Sequence, residues 1–242
     1  MIFARRRALL FGLMAALAAA LAVATISRRP EPLPPRAAAE RPALLLLTSL
    51  PLLFNEGFSL QGGGSAALRR LNERYRVVPV STTDSADLAG GHLLLMAQPP
   101  AQTAENLVAL DSWVRRGGRV LLLADPMLEW PSERPFGDPL RPSPMFMDTG
   151  LLAHWGLRLD APDKRGEEDR RLGRFAVRTV SPGRLAGGCS ISADALAAHC
   201  RIGRGEAAVI ADADLLNADR LGPDAGHNLD GLLDELARLE RQ

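Results

Sequence analysis

Short apolar runs alternate along the chain with segments whose apolar residues recur at helical spacing. The runs that read as strands cover residues 43–47, 77–80, 92–97, 119–124 and 206–211. Runs this short that are apolar at successive positions are typical of strands covered on both faces, as in a parallel sheet. The pattern therefore predicts an α/β fold with a mostly parallel sheet.

Between these runs lie the predicted helices. The first covers residues 66–76 after Ser65 as N-cap, and the second follows Thr103 as N-cap and stops at Gly117-Gly118; two more cover residues 145–155 and 228–239. Right-handed crossovers between parallel strands place helices on both faces of the sheet. We expect a flavodoxin-like layout.

The pattern of apolar and polar positions is less regular in the second half of the chain. Residues 163–174 are so highly charged that we expect a solvent-exposed loop. A short strand is predicted at residues 157–159, and residues 175–180 and 189–192 alternate like strands of a peripheral, antiparallel addition.

The amino terminus predicts a membrane segment. Residues 8–26 are uncharged and almost wholly apolar, just about the ~20 residues that a spanning helix needs, and Arg5, Arg6 and Arg7 precede them. The positive-inside bias then places the remainder outside the cytoplasm. Ala20-Leu21-Ala22 also fits a cleaved signal peptide, which is the alternative. We expect residues 1–28 to be an anchor or signal, residues 29–42 a proline-rich linker, and residues 43–242 an α/β domain on the periplasmic side of the cell inner membrane.

Charge argues against nucleic acid as a partner. The chain has 29 basic and 28 acidic side chains, but five arginines and no acid lie in the first 29 residues. The remainder therefore has 29 − 5 = 24 basic against 28 acidic groups, a net charge of −4. Phosphate binding needs a basic surface, which this balance does not offer.

Cys189 and Cys200 are the two cysteines of the chain. In an oxidising compartment we expect them to form a disulfide that closes the peripheral strands. A redox pair is the alternative, but the C-x-x-C spacing of such pairs is absent. His92, His154 and His199 are scattered along the sequence, and we interpret them as structural.

Two stretches share a design of glycine turn, buried strand and acidic end. They are LDSWVRRGGRVLLLADP at residues 110–126 and IGRGEAAVIADADLL at residues 202–216, the latter followed by HNLDGLLDEL from His227. The pair resembles the extracytoplasmic domain of auxiliary proteins of uncharacterised ABC-type transport systems, including the gliding-motility type. The resemblance covers residues 43–240 and implies a fold similar to class I glutamine amidotransferases, with ABC transporter permease and ATPase subunits as partners. It supplies no catalytic residues.

An active amidotransferase or hydrolase needs a nucleophile on a strand-to-helix elbow and a histidine to accept its proton. Neither G-x-C-x-G nor G-x-S-x-G occurs, and the third strand ends in Met96-Ala97-Gln98-Pro99-Pro100. We therefore expect a non-catalytic protein without a cofactor.

Asp125, Asp212 and Asp214 follow two buried strands, where ligands of open α/β sheets bind. With Asn228, they are the candidate ligand-binding residues for a partner protein or a polar ligand. Capping of the following turns is the favoured interpretation, since aspartate oxygens accept main-chain N–H groups there. A divalent cation held by the three carboxylates is the alternative, and it would make the protein a metal-assisted hydrolase.

Overall fold

A computed structural model describes residues 30–53 and 64–241 of the chain. The chain divides into two units, Met1–Pro32 and Leu33–Gln242. Pro30, Glu31 and Pro32, the described part of the first unit, form no helix or strand. The predicted anchor at residues 8–26 and the alternative cleavage site lie outside the described residues. Within the described ranges, no helix combines the length and apolar character needed to cross a membrane.

The second unit is built from eleven described strands and six short to medium helices. The strands are β1 (Ala43–Thr48), β2 (Arg76–Pro79), β3 (Leu93–Ala97), β4 (Arg119–Leu123), β5 (Leu157–Asp160), β6 (Glu167–Leu172), β7 (Phe175–Val180), β8 (Arg184–Gly187), β9 (Ser190–Ile191), β10 (Ala197–Ile202) and β11 (Gly205–Ile210). The α-helices are α1 (Ala66–Asn72), α2 (Ser85–Leu88), α3 (Ala104–Arg115), α4 (Leu151–His154), α5 (Ala218–Leu221) and α6 (Asn228–Glu240). The mixed α/β class and the mostly parallel sheet are confirmed.

Seven strands form the main sheet in the order β2-β1-β3-β4-β11-β10-β9. The first five are parallel, and β10 and β9 extend the sheet antiparallel to β11. Strand β2 lies on one side of β1 and β3 lies on the other, so the strand order changes direction at β1. The carboxyl ends of β4 and β11 are neighbours. The acidic ends of the two sequence stretches, residues 110–126 and 202–216, therefore lie side by side.

Each face of this sheet is covered by its own apolar core. Successive residues of a strand point to opposite faces, so Leu44 and Leu46 join one core while Leu45 and Leu47 join the other. Helices α1 and α6 pack in the first core, and α2, α3 and α4 pack in the second. The central strands are therefore apolar at successive positions because both faces of the sheet are buried.

The predicted helix starts are confirmed. Ser65 Oγ accepts the main-chain N–H of Leu68 at 3.1 Å, and Thr103 Oγ1 accepts that of Asn106 at 3.3 Å. Helix α2, which the sequence did not predict, is capped by Asp84 through the N–H of Asp87 at 2.8 Å. Four residues are too few to show a helical period.

The predicted helix at residues 145–155 is mostly wrong. Helix α4 begins only at Leu151, because Gly150 has a left-handed backbone with φ +101°. The Asp148 carboxylate accepts the N–H groups of Gly150 and Leu152 and caps the helix start.

The predicted exposed loop at residues 163–174 is also wrong, since β6 runs through it and pairs with β7. Charge pairing across the hairpin explains this. Arg178 on β7 reaches Glu167 at 3.1 Å and Asp169 at 2.7 Å on β6. Opposite charges on facing strands stabilise a hairpin whose outer face is polar.

The disulfide between Cys189 and Cys200 is confirmed, with the two Cα atoms 4.9 Å apart. It joins the residue before β9 to β10 and closes the antiparallel edge of the main sheet. Strands β8 and β10 were not predicted; β8 pairs with β5 in a separate two-stranded sheet, which includes the predicted strand at residues 157–159.

Candidate functional site

The four candidate ligand-binding residues meet at one end of the molecule. Asp125 follows β4, Asp212 and Asp214 follow β11, and Asn228 begins α6. All four side chains are buried, with at most 1% of each residue exposed. This end, the carboxyl edge of the sheet, is where a binding site was expected.

Asp125 connects the two loops that leave β4 and β11. Its Oδ1 accepts the N–H of Met127 at 2.8 Å, and its Oδ2 accepts the N–H of Ala213 at 2.8 Å and that of Asp214 at 3.4 Å. One carboxylate thus caps its own turn and holds the neighbouring one.

Asp212 and Asp214 act in the same manner. Asp212 accepts the N–H groups of Val180 at 2.9 Å and Leu215 at 2.7 Å. Asp214 Oδ2 accepts the N–H of Glu129 at 2.7 Å, while its buried Oδ1 has no hydrogen-bond partner.

Asn228 joins α6 to β7 rather than facing a ligand. Its Oδ1 accepts the N–H of Arg178 at 2.7 Å, and its Nδ2 donates to the carbonyls of Arg178 at 2.7 Å and Leu215 at 3.0 Å. Its amide is therefore fully engaged with main-chain groups.

Burial raises the pKa of all three aspartates. Desolvation is the largest cause for each, and it raises the pKa of Asp125 to about 6 and that of Asp214 to about 7. Asp212 is desolvated and faces the charges of Asp125 and Asp214, so its pKa lies well above the usual range. The main-chain N–H groups oppose these shifts without cancelling them.

These contacts are those of turn caps. Across residues 30–53 and 64–241, no group of three or more histidine, cysteine, aspartate or glutamate side chains is arranged to hold a metal ion. Five of the six carboxylate oxygens that a cation would need already accept main-chain N–H groups, and Asp214 Oδ1 is the exception.

Gln98 is a central residue of this edge that sequence reasoning did not identify. It follows β3 with φ +42° and is fully buried. Its Oε1 accepts the Asp125 N–H at 3.0 Å, and its Nε2 donates to the carbonyls of Asp125 at 3.3 Å and Ser143 at 3.1 Å. The Gln98 amide has no nucleophilic atom. Its three hydrogen bonds hold together the loops that contain Asp125 and Ser143. The polar residue between a buried strand and Pro99-Pro100 was the available signal.

Ser181 and Glu129 form a second contact that the sequence did not indicate. Ser181 is buried with φ +48°, and its Oγ donates to Glu129 Oε1 at 2.5 Å while accepting the Gly166 N–H at 2.9 Å. Fifty-two residues separate the pair. No local pattern could have predicted their contact.

An exposed apolar segment, residues 131–148, lies across this edge, and we call it the apolar loop. It contacts the edge where Ser143 meets Gln98, where Leu128 donates to the Pro144 carbonyl at 2.9 Å, and where Phe146 donates to the Asp125 carbonyl at 2.6 Å. The described residues expose five large hydrophobic side chains, and all but Val108 lie on this loop: Phe136, Leu140, Met145 and Met147.

The loop is ordered by its own contacts. The Arg141 guanidinium lies 4.2 Å from the centre of the Phe136 ring, and Arg134 pairs with Asp138 at 3.4 Å. Beside it lies the edge cleft, of about 580 Å³, lined by residues 126–129, 144–145 and 165–166.

A second cavity of about 590 Å³ lies near the antiparallel edge of the sheet and is lined in part by His199, Arg171 and Glu235. His199 Nε2 lies 2.9 Å from Glu235 Oε2, and Arg238 donates to the same oxygen at 3.0 Å. Burial raises the pKa of Glu235, but its interactions with His199 and Arg238 together outweigh burial and lower it.

Comparison with known proteins identifies the fold alone. No family model matches the sequence, and no curated protein matches it. Among solved structures, the mmIFT52 N-terminal domain is similar over 80% of this chain and 97% of its own, at 16% identity and a TM-score of 0.51. The exo-β-1,4-mannosidase Op5Man5 from Opitutaceae bacterium strain TAV5 is similar over 83% of this chain, at 11% identity and a TM-score of 0.50. The matched part is 36% of the mannosidase chain, so the present chain spans about a third of that enzyme.

Proposed function

We propose that this chain is a non-catalytic auxiliary component of an ABC-type transport or cell-envelope system. Residues 8–26 anchor it in the cell inner membrane, and the α/β domain on the periplasmic side binds a partner protein through the carboxyl edge of its sheet. The transporter permease or ATPase subunits are the expected partners.

The fold assignment within this proposal is flavodoxin-like, in the variant that class I glutamine amidotransferases share. The parallel order β2-β1-β3-β4-β11 supports it, because the flavodoxin-like order places the strands as 2-1-3-4-5. The Cys189–Cys200 disulfide supports an oxidising compartment, where such bonds persist.

The absence of catalysis is supported by how the carboxyl edge uses its polar groups. The side chains of Asp125, Asp212 and Asn228 form their hydrogen bonds with main-chain atoms. Gln98 stands at the strained end of β3, where a nucleophile would stand in an enzyme of this fold.

One observation carries the binding proposal, namely the exposure of Phe136, Leu140, Met145 and Met147 on the apolar loop. Four large apolar side chains exposed on one loop make that loop a candidate interaction surface. The loop lies at the edge where open α/β sheets bind their partners.

The test is copurification of the tagged full-length chain from detergent-solubilised host membranes. We expect transporter subunits with the native chain and with Val108→Ser, and their loss from a variant carrying Phe136→Ser, Leu140→Ser and Met147→Ser. Equal recovery with the triple variant, or recovery of no transport subunit with any variant, would contradict the proposal.

A further inference from the structure

Four carboxylates at the carboxyl edge lack a paired cation. Glu129, Asp125, Asp212 and Asp214 accept hydrogen bonds from main-chain N–H groups or from the Ser181 hydroxyl. In the part of the chain that the structure describes, none of them forms an ion pair with a lysine, arginine or histidine. Burial raises the pKa of the three aspartates and so favours their protonated forms, whereas Glu129 is the one of the four that is not fully buried.

Two arginines lie near Glu129. Arg220 Nη1 donates to the main-chain oxygen of Glu129 at 3.0 Å, and its charge acts in part on Asp214. Arg165 lines the edge cleft, but its side chain is exposed and forms no described ion pair with Glu129.

Glu129 is the carboxylate of this group that lines the edge cleft. Ser181 holds its Oε1 at 2.5 Å, and Gly166 in turn holds the serine oxygen. Asp214, whose Oδ2 accepts the Glu129 N–H, is 1% exposed, and its Oδ1 is buried without a partner. Glu129 thus lines the cleft with a carboxylate that Ser181 positions by a hydrogen bond.

Part of the wall of the same cleft is apolar. Met145 lines it together with Pro126 and Pro144, and Phe136 and Leu140 are exposed on the same loop. An entirely apolar occupant would desolvate Glu129 without giving it a partner, which is costly. A cation carried on an apolar segment satisfies both parts of the surface.

We propose that the edge cleft and the apolar loop dock an apolar segment of a partner protein that carries a lysine or arginine, whose charge meets Glu129. This inference rests on the proposed function and specifies the chemistry of the partner at that site. Charge complementarity sets the register of the segment on the loop.

The test uses three fluorescein-labelled synthetic peptides of alternating leucine and alanine with Gly-Ser ends. They differ only at one central position, which is lysine, norleucine or glutamate. Fluorescence anisotropy measures their binding to the full-length chain in detergent. We expect the lysine peptide to bind about tenfold more tightly than the norleucine peptide, and the glutamate peptide to bind more weakly than both.

Variants distinguish the contribution of the Glu129 charge to peptide binding from that of the apolar loop. Glu129→Gln keeps an acceptor for Ser181, and we expect it to reduce the lysine preference to below about threefold with little change for norleucine. Phe136→Ser with Leu140→Ser weakens both peptides, whereas the control Val108→Ser changes neither.

Equal binding of the lysine and norleucine peptides to the native chain overturns the inference, as does an unchanged lysine preference in Glu129→Gln. If the loop variant still weakens both peptides, the proposed function survives that result. Failure of every peptide to bind counts against the inference and the proposed function together.

Discussion

At the residue scale, the carboxyl edge shows acidic side chains used as structural connectors. Asp125 joins the loops after β4 and β11, which are 87 residues apart in the chain at Asp125 and Asp212. In the described residues, none of Asp125, Asp212 and Asp214 forms an ion pair with a lysine, arginine or histidine. Desolvation therefore costs free energy whenever these groups are ionised.

The first prediction concerns Asp214, whose pKa burial raises to about 7. An aspartate in the unfolded chain titrates near about 3.9, so between these values the folded protein holds a proton that the unfolded chain releases. The free energy of unfolding therefore falls as the pH rises from about 4 to about 7. Asp214→Asn removes this titration, and we expect its stability relative to the native chain to increase by about 2 kcal/mol between pH 5 and pH 8.

Urea unfolding at both pH values measures this difference. The exposed Asp163→Asn variant is the matched control and should follow the native chain at both. A loss of relative stability in Asp214→Asn between pH 5 and pH 8 would show that the ionised form of Asp214 is required at the edge.

The second prediction concerns Gln98, whose side chain makes three hydrogen bonds at a left-handed backbone position. Gln98→Ala leaves the Asp125 N–H and the Ser143 carbonyl without their partner, and we expect a loss of about 3 kcal/mol. Gln98→Gly deletes the same contacts but accepts positive φ without strain, so it should be about 1 kcal/mol less destabilising than alanine. Thermal unfolding compares the two, and greater damage by glycine would refute the strain argument.

At the element scale, the central strands followed from their sequences and the peripheral ones did not. Strands β1, β3, β4 and β11 are buried on both faces, so their apolar runs were diagnostic. Strand β6 has the composition of a loop, and it forms because Arg178 on β7 supplies opposite charges. Helix α4 is short because Gly150 and Asp148 set its start. The spacing of the apolar residues gives no sign of where this helix begins.

The third prediction concerns the contact between the end of α3 and the start of β11. A Cβ on Gly205 would lie 2.1 Å from the Val114 carbonyl oxygen and 2.2 Å from that of Gly118, both rigid main-chain atoms. Gly205→Ala must push these elements apart, so we expect a loss of about 3 kcal/mol in the free energy of unfolding.

Gly188→Ala is its control, since a Cβ there meets nothing within 4 Å. We expect that variant to unfold within about 0.5 kcal/mol of the native chain. Urea midpoints measure both, and equal effects would mean that the close approach at Gly205 relaxes freely.

At the scale of the whole molecule, the two ends of the described sheet differ in character. The antiparallel edge is closed by the disulfide, while the carboxyl edge joins buried carboxylates to an exposed apolar loop. This difference is the reason why we propose the carboxyl edge as the binding surface.

The fourth prediction concerns the orientation of the full chain in the membrane. The arginines before residue 8 and the apolar run at residues 8–26 lead us to expect the carboxyl terminus outside the cytoplasm. A reporter that is active only outside the cytoplasm, fused after Gln242, should be active. Reversal is expected when Arg5, Arg6 and Arg7 are replaced by glutamate and three lysines are inserted after Ser27. A native fusion active only inside the cell would contradict the anchor and the proposed partners alike.

The sequence by itself determined the class of fold, the two-sided burial of the central strands, the capped starts of α1 and α3 and the pairing of the cysteines. Each of these depends on local spacing or on residue type, which a single chain displays directly. Only the tertiary structure decided that β6 is a strand, that Gln98 braces the edge, and that Glu129 meets Ser181 beside the apolar loop. The Gln98–Asp125 and Glu129–Ser181 contacts join residues 27 and 52 positions apart, so they depend on how completed elements pack. The β6 ion pairs join residues only 9 and 11 positions apart, but the charged composition of β6 is that of a loop and does not reveal them.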